Sequence, residues 1–191
     1  MEADFWHQVW QQDQLGFQLA APHPMLCAQL ASLPATGSVF VPLCGKSPDL
    51  HRLAEQYAVV GAELSEIACR DFFAEAQLPV SARQSGAFTV WQSAQYQLWQ
   101  GDFFELPPAA VKDCQLIYDR AALIALPASM RQCYVETLRR LLPRASLLLI
   151  SLEYPEHEKQ GPPFTVTVPD IQQLFDFADI KLCGIRNLTG Q

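Results

Sequence analysis

The chain predicts an α/β fold, a doubly wound and mainly parallel sheet in a single domain of residues 1–191. Three observations carry that prediction. Apolar runs of strand length alternate with stretches whose apolar residues recur at i, i+3, i+4 and i+7, the period of a helix with one buried face. Such alternation builds a parallel sheet covered on both faces, and right-handed crossovers wind it in both directions. At Val39-Phe40-Val41-Pro42-Leu43-Cys44-Gly45-Lys46-Ser47 an apolar strand meets a glycine turn and a helix start within nine residues. Finally, 191 residues, half of them hydrophobic, suffice for one sizeable core and not for two.

Residues 4–13 place Phe5 with Val9 and Trp6 with Trp10 one turn apart on a short helix. Leu15-Gly16-Phe17 breaks it, and Pro22 and Pro24 precede a second apolar helix through Met25, Leu26, Leu30 and Leu33, so residues 1–35 form an N-terminal helical lid region. After the Val39 strand, Ser47 reads as an N-cap with Pro48 at the first helical position, opening a helix through Leu50, Leu53, Ala54 and Tyr57. Residues 58–64 are a buried strand ending in an acid, Glu63, and Ser65 caps a helix bearing Cys69, Phe72, Phe73 and Ala76. Residues 88–91 and 96–99 read as a hairpin-like pair that leaves through Gly101-Asp102-Phe103-Phe104. Residues 114–118 form a strand terminating in Asp119-Arg120, and Pro127 opens a helix with Met130, Tyr134, Leu138 and Leu141 on one face. Residues 146–152 are the most hydrophobic strand. A rigid Gly161-Pro162-Pro163-Phe164 loop, a short helix through Ile171, Leu174 and Phe175, and a last strand over residues 180–188 complete the chain.

Twenty acidic against thirteen basic residues give a net charge of −7, which disfavours a nucleic-acid backbone as partner. The six cysteines (27, 44, 69, 114, 133 and 183) are scattered without a Cys-x-x-Cys pair, as in a reduced cytoplasmic protein. His7, His23, His51 and His157 never reach metal-ligand spacing, so no metal is expected. No apolar run approaches the roughly 18 residues of a membrane span, and no basic-then-apolar leader opens the chain.

Gly45-Lys46-Ser47 invites a phosphate-loop reading, but the glycine that motif needs five positions earlier is Phe40. The dinucleotide fingerprint needs three glycines and finds Gly45 alone, which also disfavours an oxidoreductase on a similar sheet. Glu63 stands 18 residues after Gly45, near the distance at which an acid binds ribose hydroxyls. It reads either as that acceptor or as an acid at the start of the next helix. Asp102 and the Asp119-Arg120 pair bring further polar groups to the same sheet edge. Ribose without phosphate describes S-adenosylmethionine.

These residues resemble the thiopurine S-methyltransferases, in particular their bacterial branch, over about residues 4–188. The likeness rests on Phe5-Trp6-x-x-x-Trp10 with Gly16-Phe17, on Val41-Pro42-Leu43-Cys44-Gly45-Lys46-Ser47-x-Asp49-Leu50, and on Gly61-x-Glu63-Leu64-Ser65. Gly101-Asp102-Phe103-Phe104, the run from Tyr118-Asp119-Arg120 to Leu126-Pro127, and Leu152-Glu153-Tyr154 with Gly161-Pro162-Pro163-Phe164 follow in order. The resemblance implies a Rossmann-like methyltransferase fold and transfer of the methyl group of S-adenosyl-L-methionine to a thiol of a small aromatic or heterocyclic substrate, in some bacterial members to selenium or tellurium. It implies that Trp10, Leu43, Glu63 and Arg120 contact the cofactor, with Asp102 and Phe103 near the adenine and Phe17 on the substrate side. Arg120 is then expected to hold an anionic substrate or the cofactor's carboxyl end, the alternative being a salt bridge to Asp119 or Glu63. For Trp6, packing is the favoured role.

The family's chains normally continue by one more antiparallel strand, which inserts beside the 147–152 strand. Its absence from residues 1–191 is expected to leave that strand with an open edge, giving either lower stability or an edge-mediated dimer in place of the family's monomer. The alternative function is a non-catalytic S-adenosylmethionine-binding member that has lost activity with its C-terminus.

Overall fold

The computed structural model describes residues 3–34 and 36–188. The expected bounds 1–35 and 1–191 therefore run into residues 1, 2, 35 and 189–191, which lie outside the described residues. The chain runs α1 (Ala3–Gln11), α2 (Pro24–Gln29), β1 (Gly37–Pro42), α3 (Asp49–Ala54), β2 (Tyr57–Glu63), α4 (Glu66–Glu75), β3 (Ser81–Ser85), β4 (Phe88–Ser93) and β5 (Tyr96–Gln100). It continues with β6 (Cys114–Arg120), α5 (Ala128–Leu141), β7 (Ser146–Ile150) and α6 (Val168–Leu174). The described strands form one seven-stranded sheet in the order β3-β4-β5-β2-β1-β6-β7. Neighbours from β5 to β7 are parallel, while β3, β4 and β5 form an antiparallel meander. This is the mainly parallel sheet that the strand–helix alternation predicts, in the Rossmann-like form that the resemblance implies.

Both faces are covered, which is why the strands are apolar on both sides. Val39, Val41, Leu116 and Tyr118 point to a core shared with Leu26 of α2, Leu50 and Leu53 of α3, and Phe72 and Phe73 of α4. Phe40 and Ile117, their neighbours along the same strands, point to the opposite core with Tyr134, Val135 and Leu138 of α5. Consecutive strand residues face opposite ways, so one apolar run serves two layers.

Three local expectations need correction, and one strand has no counterpart among them. The α3 helix ends at Ala54, and Tyr57 instead begins β2, paired with Gly37. Pro48 rather than Ser47 occupies the N-cap position, although the Ser47 hydroxyl still accepts the Asp49 N–H at 3.2 Å. The polar segment Ser81–Ser85 is a strand, with four of its five residues exposed. It is an edge, stabilised by pairing to β4 rather than by burial, so no apolar pattern marked it. Residues 180–188 form no strand: a groove of about 610 Å³ lies between β7 and residues 177–184, so no ladder joins them. The outer edge of β7 is consequently unpaired among the described residues.

Candidate functional site

Strand order reverses between β1 and β6: β2 and β5 follow on one side of β1, β6 and β7 on the other. At such a switch point the loops leaving the carboxyl ends diverge and open a crevice. A cavity of about 810 Å³ lies there, and its walls include Trp10, Phe17, Leu43, Gly45, Glu63 and Arg120. Three lining residues in two turns have a left-handed backbone. Leu43 (φ +47°), Gly45 (φ +54°) and Ala121 (φ +68°) all occupy the left-handed region, which glycine tolerates and which costs leucine or alanine about 1–3 kcal/mol.

Glu63 locks two of the strand ends together. Its Oε2 accepts the Gly45 N–H at 2.8 Å and its Oε1 the Ser65 N–H at 2.8 Å, so the carboxylate joins the turn after β1 to the start of α4. Burial pushes its pKa above the usual carboxylate range, and the N–H groups of Ser65 and Gly45 oppose that shift. Lys46 turns away to Glu75 on α4, at 2.5 Å, and is not among the cavity walls.

Arg120 makes neither of the salt bridges considered from the sequence. Its Nε donates to Asp49 Oδ2 at 3.0 Å, one terminal nitrogen to the Phe17 carbonyl at 3.1 Å, and the other to Ser47 Oγ at 2.7 Å. Three of the five guanidinium N–H groups are thereby engaged within the protein. Asp119 faces the interior instead, accepting the Tyr134 hydroxyl at 2.7 Å and the Leu123 N–H at 3.1 Å, and burial pushes its pKa up to about 6.

The N-terminal segment forms the aromatic wall. Trp10 is buried against the glycine turn so closely that a Cβ at Gly45 would lie 3.3 Å from its Cζ2. Phe17 meets both Trp6 and Trp10 edge-on, each at 5.8 Å between ring centroids. Trp6 both packs on Phe17 and lines the cavity.

The structure thus gathers Trp10, Leu43, Glu63, Arg120 and Phe17 around one space. Asp102 and Phe103 are not among the walls. Asp102 is exposed and its carboxylate accepts the Phe104 N–H at 2.9 Å, capping a short 3₁₀ turn. Phe103 is in the core, stacked on Phe40 at 6.4 Å. The Asp102 turn still adjoins the site, because the Gly101 N–H donates to the Glu63 carbonyl at 2.8 Å. Sequence reasoning missed Asp49, Ala121 and His23. Burial lowers the pKa of His23, which lines the cavity with its Nδ1 accepting the Met25 N–H at 3.2 Å. Its position between two prolines is the one signal the sequence offers. Among the described residues no group of three or more His, Cys, Asp or Glu could hold a metal, and no helix is long and apolar enough to cross a membrane.

The mainly parallel seven-stranded sheet, with Glu63 ending its second strand at the switch-point cavity, is the fold of the S-adenosylmethionine-dependent methyltransferases. Solved structures of that class share the fold. A SAM-dependent methyltransferase from Anabaena variabilis matches with a TM-score of 0.66 at 16% identity, over 91% of this chain and 80% of its own. The 1,6-didemethyltoxoflavin-N1-methyltransferase of Burkholderia thailandensis, solved with S-adenosylhomocysteine, matches with a TM-score of 0.63 at 16% identity, over 92% and 74%. The family is set by sequence: the family described as Thiopurine S-methyltransferase (TPMT) matches residues 1–187. The chain belongs to the thiopurine S-methyltransferase family. Thiopurine S-methyltransferase of Marinobacter nauticus is 44% identical over 179 residues, 92% of this chain and 82% of the relative. That of Shewanella oneidensis is 47% identical over 172 residues, 87% and 78% respectively.

Proposed function

We propose that this protein methylates the sulfur of a small aromatic or heterocyclic thiol, using S-adenosyl-L-methionine bound in the switch-point cavity. The observation that carries the reading is the pairing of a buried Glu63, seated on the N–H groups of the turn after β1, with the aromatic wall of Trp6, Trp10 and Phe17. The residues present fit that cofactor. Glu63 keeps lone pairs free for ribose hydroxyls while its charge opposes a phosphate, and the cavity of about 810 Å³ is of small-molecule size.

Bound there, the cofactor supplies a sulfonium methyl group that passes to a thiolate in an in-line displacement. The protein's part is positioning and exclusion of water. Trp10 offers an aromatic surface to a sulfonium cation, an attraction that strengthens when water is excluded. Leu43 lines the cavity and would contact the cofactor, and Arg120, with three of its five N–H groups engaged within the protein, would offer the other two to a carboxylate of cofactor or substrate. Asp102 lies outside the cavity walls and would meet the adenine end only from the adjoining turn, which Phe103 anchors in the core. Phe17 bounds the acceptor side. An aromatic thiol is partly ionised near neutrality, so no side chain need act as a strong base. Selenium or tellurium nucleophiles, which are softer still than a thiolate, belong to the same proposal. So does a homodimer joined through β7, whose outer edge is unpaired among the described residues.

Transfer of labelled methyl from S-adenosylmethionine to 6-mercaptopurine tests the function, with calorimetric binding of S-adenosylhomocysteine as control. Binding with turnover is expected. Binding without turnover, for thiol and selenol acceptors alike, makes the protein a non-catalytic member, and loss of both removes the cofactor assignment as well.

A further inference from the structure

We infer that Asp49 is the positioning residue that fastens the N-terminal segment over the cavity, acting through Arg120 and the loop from residue 17 to residue 23. No residue from 11 to 25 is buried, so apolar packing into the core does not hold this stretch in place. Polar ties do. Asp49 is fully buried at the first residue of α3 and accepts three hydrogen bonds: the His23 N–H at 2.6 Å, the Tyr118 hydroxyl at 2.9 Å and Arg120 Nε at 3.0 Å. An acid withdrawn from water in this way is costly unless it is fully partnered, and its partners here come from β6 and from the N-terminal segment. Arg120 then extends the tie, donating to the Phe17 carbonyl at 3.1 Å and to Ser47 Oγ in the turn after β1 at 2.7 Å. The loop is pinned at both ends, by Arg120 at the Phe17 carbonyl and by Asp49 at the His23 N–H. Between those pins the Gln18 side chain donates to the Lys46 carbonyl at 2.8 Å, a third tie to the same turn.

Fixing the Phe17 backbone fixes its ring, which packs edge-on against Trp6 and Trp10 and so completes the aromatic wall. Asp49 is absent from the cavity walls, so it acts only through what it holds. The inference rests on the methyl-transfer reading for its kinetic arm and on the fold alone for its other arm.

The test is Asp49→Asn, nearly isosteric but uncharged and unable to serve all three donors as the carboxylate does. Hydrogen exchange followed by mass spectrometry is expected to show at least tenfold faster exchange in residues 11–23 with β1 and β2 unchanged. For 6-mercaptopurine, kcat/KM is expected to fall at least tenfold. Combined with Phe17→Ala, the double variant is expected to be no worse than the worse single variant within about twofold, because both changes act on one element. Unchanged exchange in residues 11–23, exchange accelerated equally throughout the sheet, or kinetic losses that simply multiply would each overturn the inference. If the wild-type protein fails to methylate the thiol, the function proposal falls while the exchange comparison still decides the role of Asp49. Should Asp49→Asn fail to fold, Arg120→Lys takes its place, since a lysine cannot reach Asp49, Phe17 and Ser47 together.

Discussion

Glu63 shows how one side chain can organise a site before any ligand arrives. Gln at this position would keep the shape but present an NH₂ group to one of two backbone N–H donors, Gly45 or Ser65, that now both meet carboxylate oxygens. One buried donor would lose its acceptor and the other a charge-assisted bond, a loss of roughly 2–3 kcal/mol on the scale of hydrogen bonds to charged groups. Glu63→Gln should therefore lower the urea unfolding free energy by about that amount and weaken S-adenosylhomocysteine binding at least tenfold by calorimetry. Affinity preserved in a folded variant would detach Glu63 from the cofactor. The sequence made this residue visible because it sits at a strand end at a known interval from Gly45. It could not reveal the Asp49–Arg120 pair, whose members stand 71 positions apart, since a buried ion pair between distant elements leaves no spacing to read. The acids that the sequence offers Arg120, Asp119 beside it and Glu63 at another strand end, both bond elsewhere, while its guanidinium turns to the start of α3.

At the level of elements, legibility followed burial. β1, β2, β6 and α5 each fill a core and carry the apolar period that betrays them. β3 fills none, and residues 180–188 carry a strand-like composition without a neighbour to complete it. Strand identity is a property of pairs, so composition misleads where the partner is missing. The same logic applies to β7, which pairs with β6 along Ser146–Ile150 and presents its other edge to the groove. Open N–H and C=O groups on a half-buried apolar strand favour pairing with another chain. Sedimentation velocity on this chain should show a monomer–dimer equilibrium that shifts with concentration, and Leu149→Pro, at a residue on the face whose N–H groups point away from β6, should abolish the dimer by removing an outward donor and bending the edge. A single monomeric boundary at every concentration would refute pairing through β7.

For the molecule as a whole, acid response is set by a few buried groups rather than by the net charge of −7. Burial raises Asp119 to about 6 despite hydrogen bonds from Tyr134 and Leu123 that favour its charged form. Its folded pKa exceeds the unfolded one, so between about 4 and 6 the native state binds the extra proton. Stability from this group is complete below the unfolded value and is lost as pH rises through the folded one. Glu63, also raised by burial, acts in the same sense. His23 and His51 act oppositely: burial lowers both, so the unfolded chain binds more protons below 6.5 and stability grows as pH climbs towards that value. These slopes oppose one another, and a variant separates them. The displacement of Asp119 from 3.8 to about 6 corresponds to roughly 3 kcal/mol. The unfolding free energy of wild type minus that of Asp119→Asn, measured by urea titration, should therefore fall by about that amount between pH 4 and pH 7. Any constant cost of the asparagine shifts the whole difference without changing its slope. A difference independent of pH would mean that the donors of Tyr134 and Leu123 outweigh burial and that Asp119 is ionised throughout.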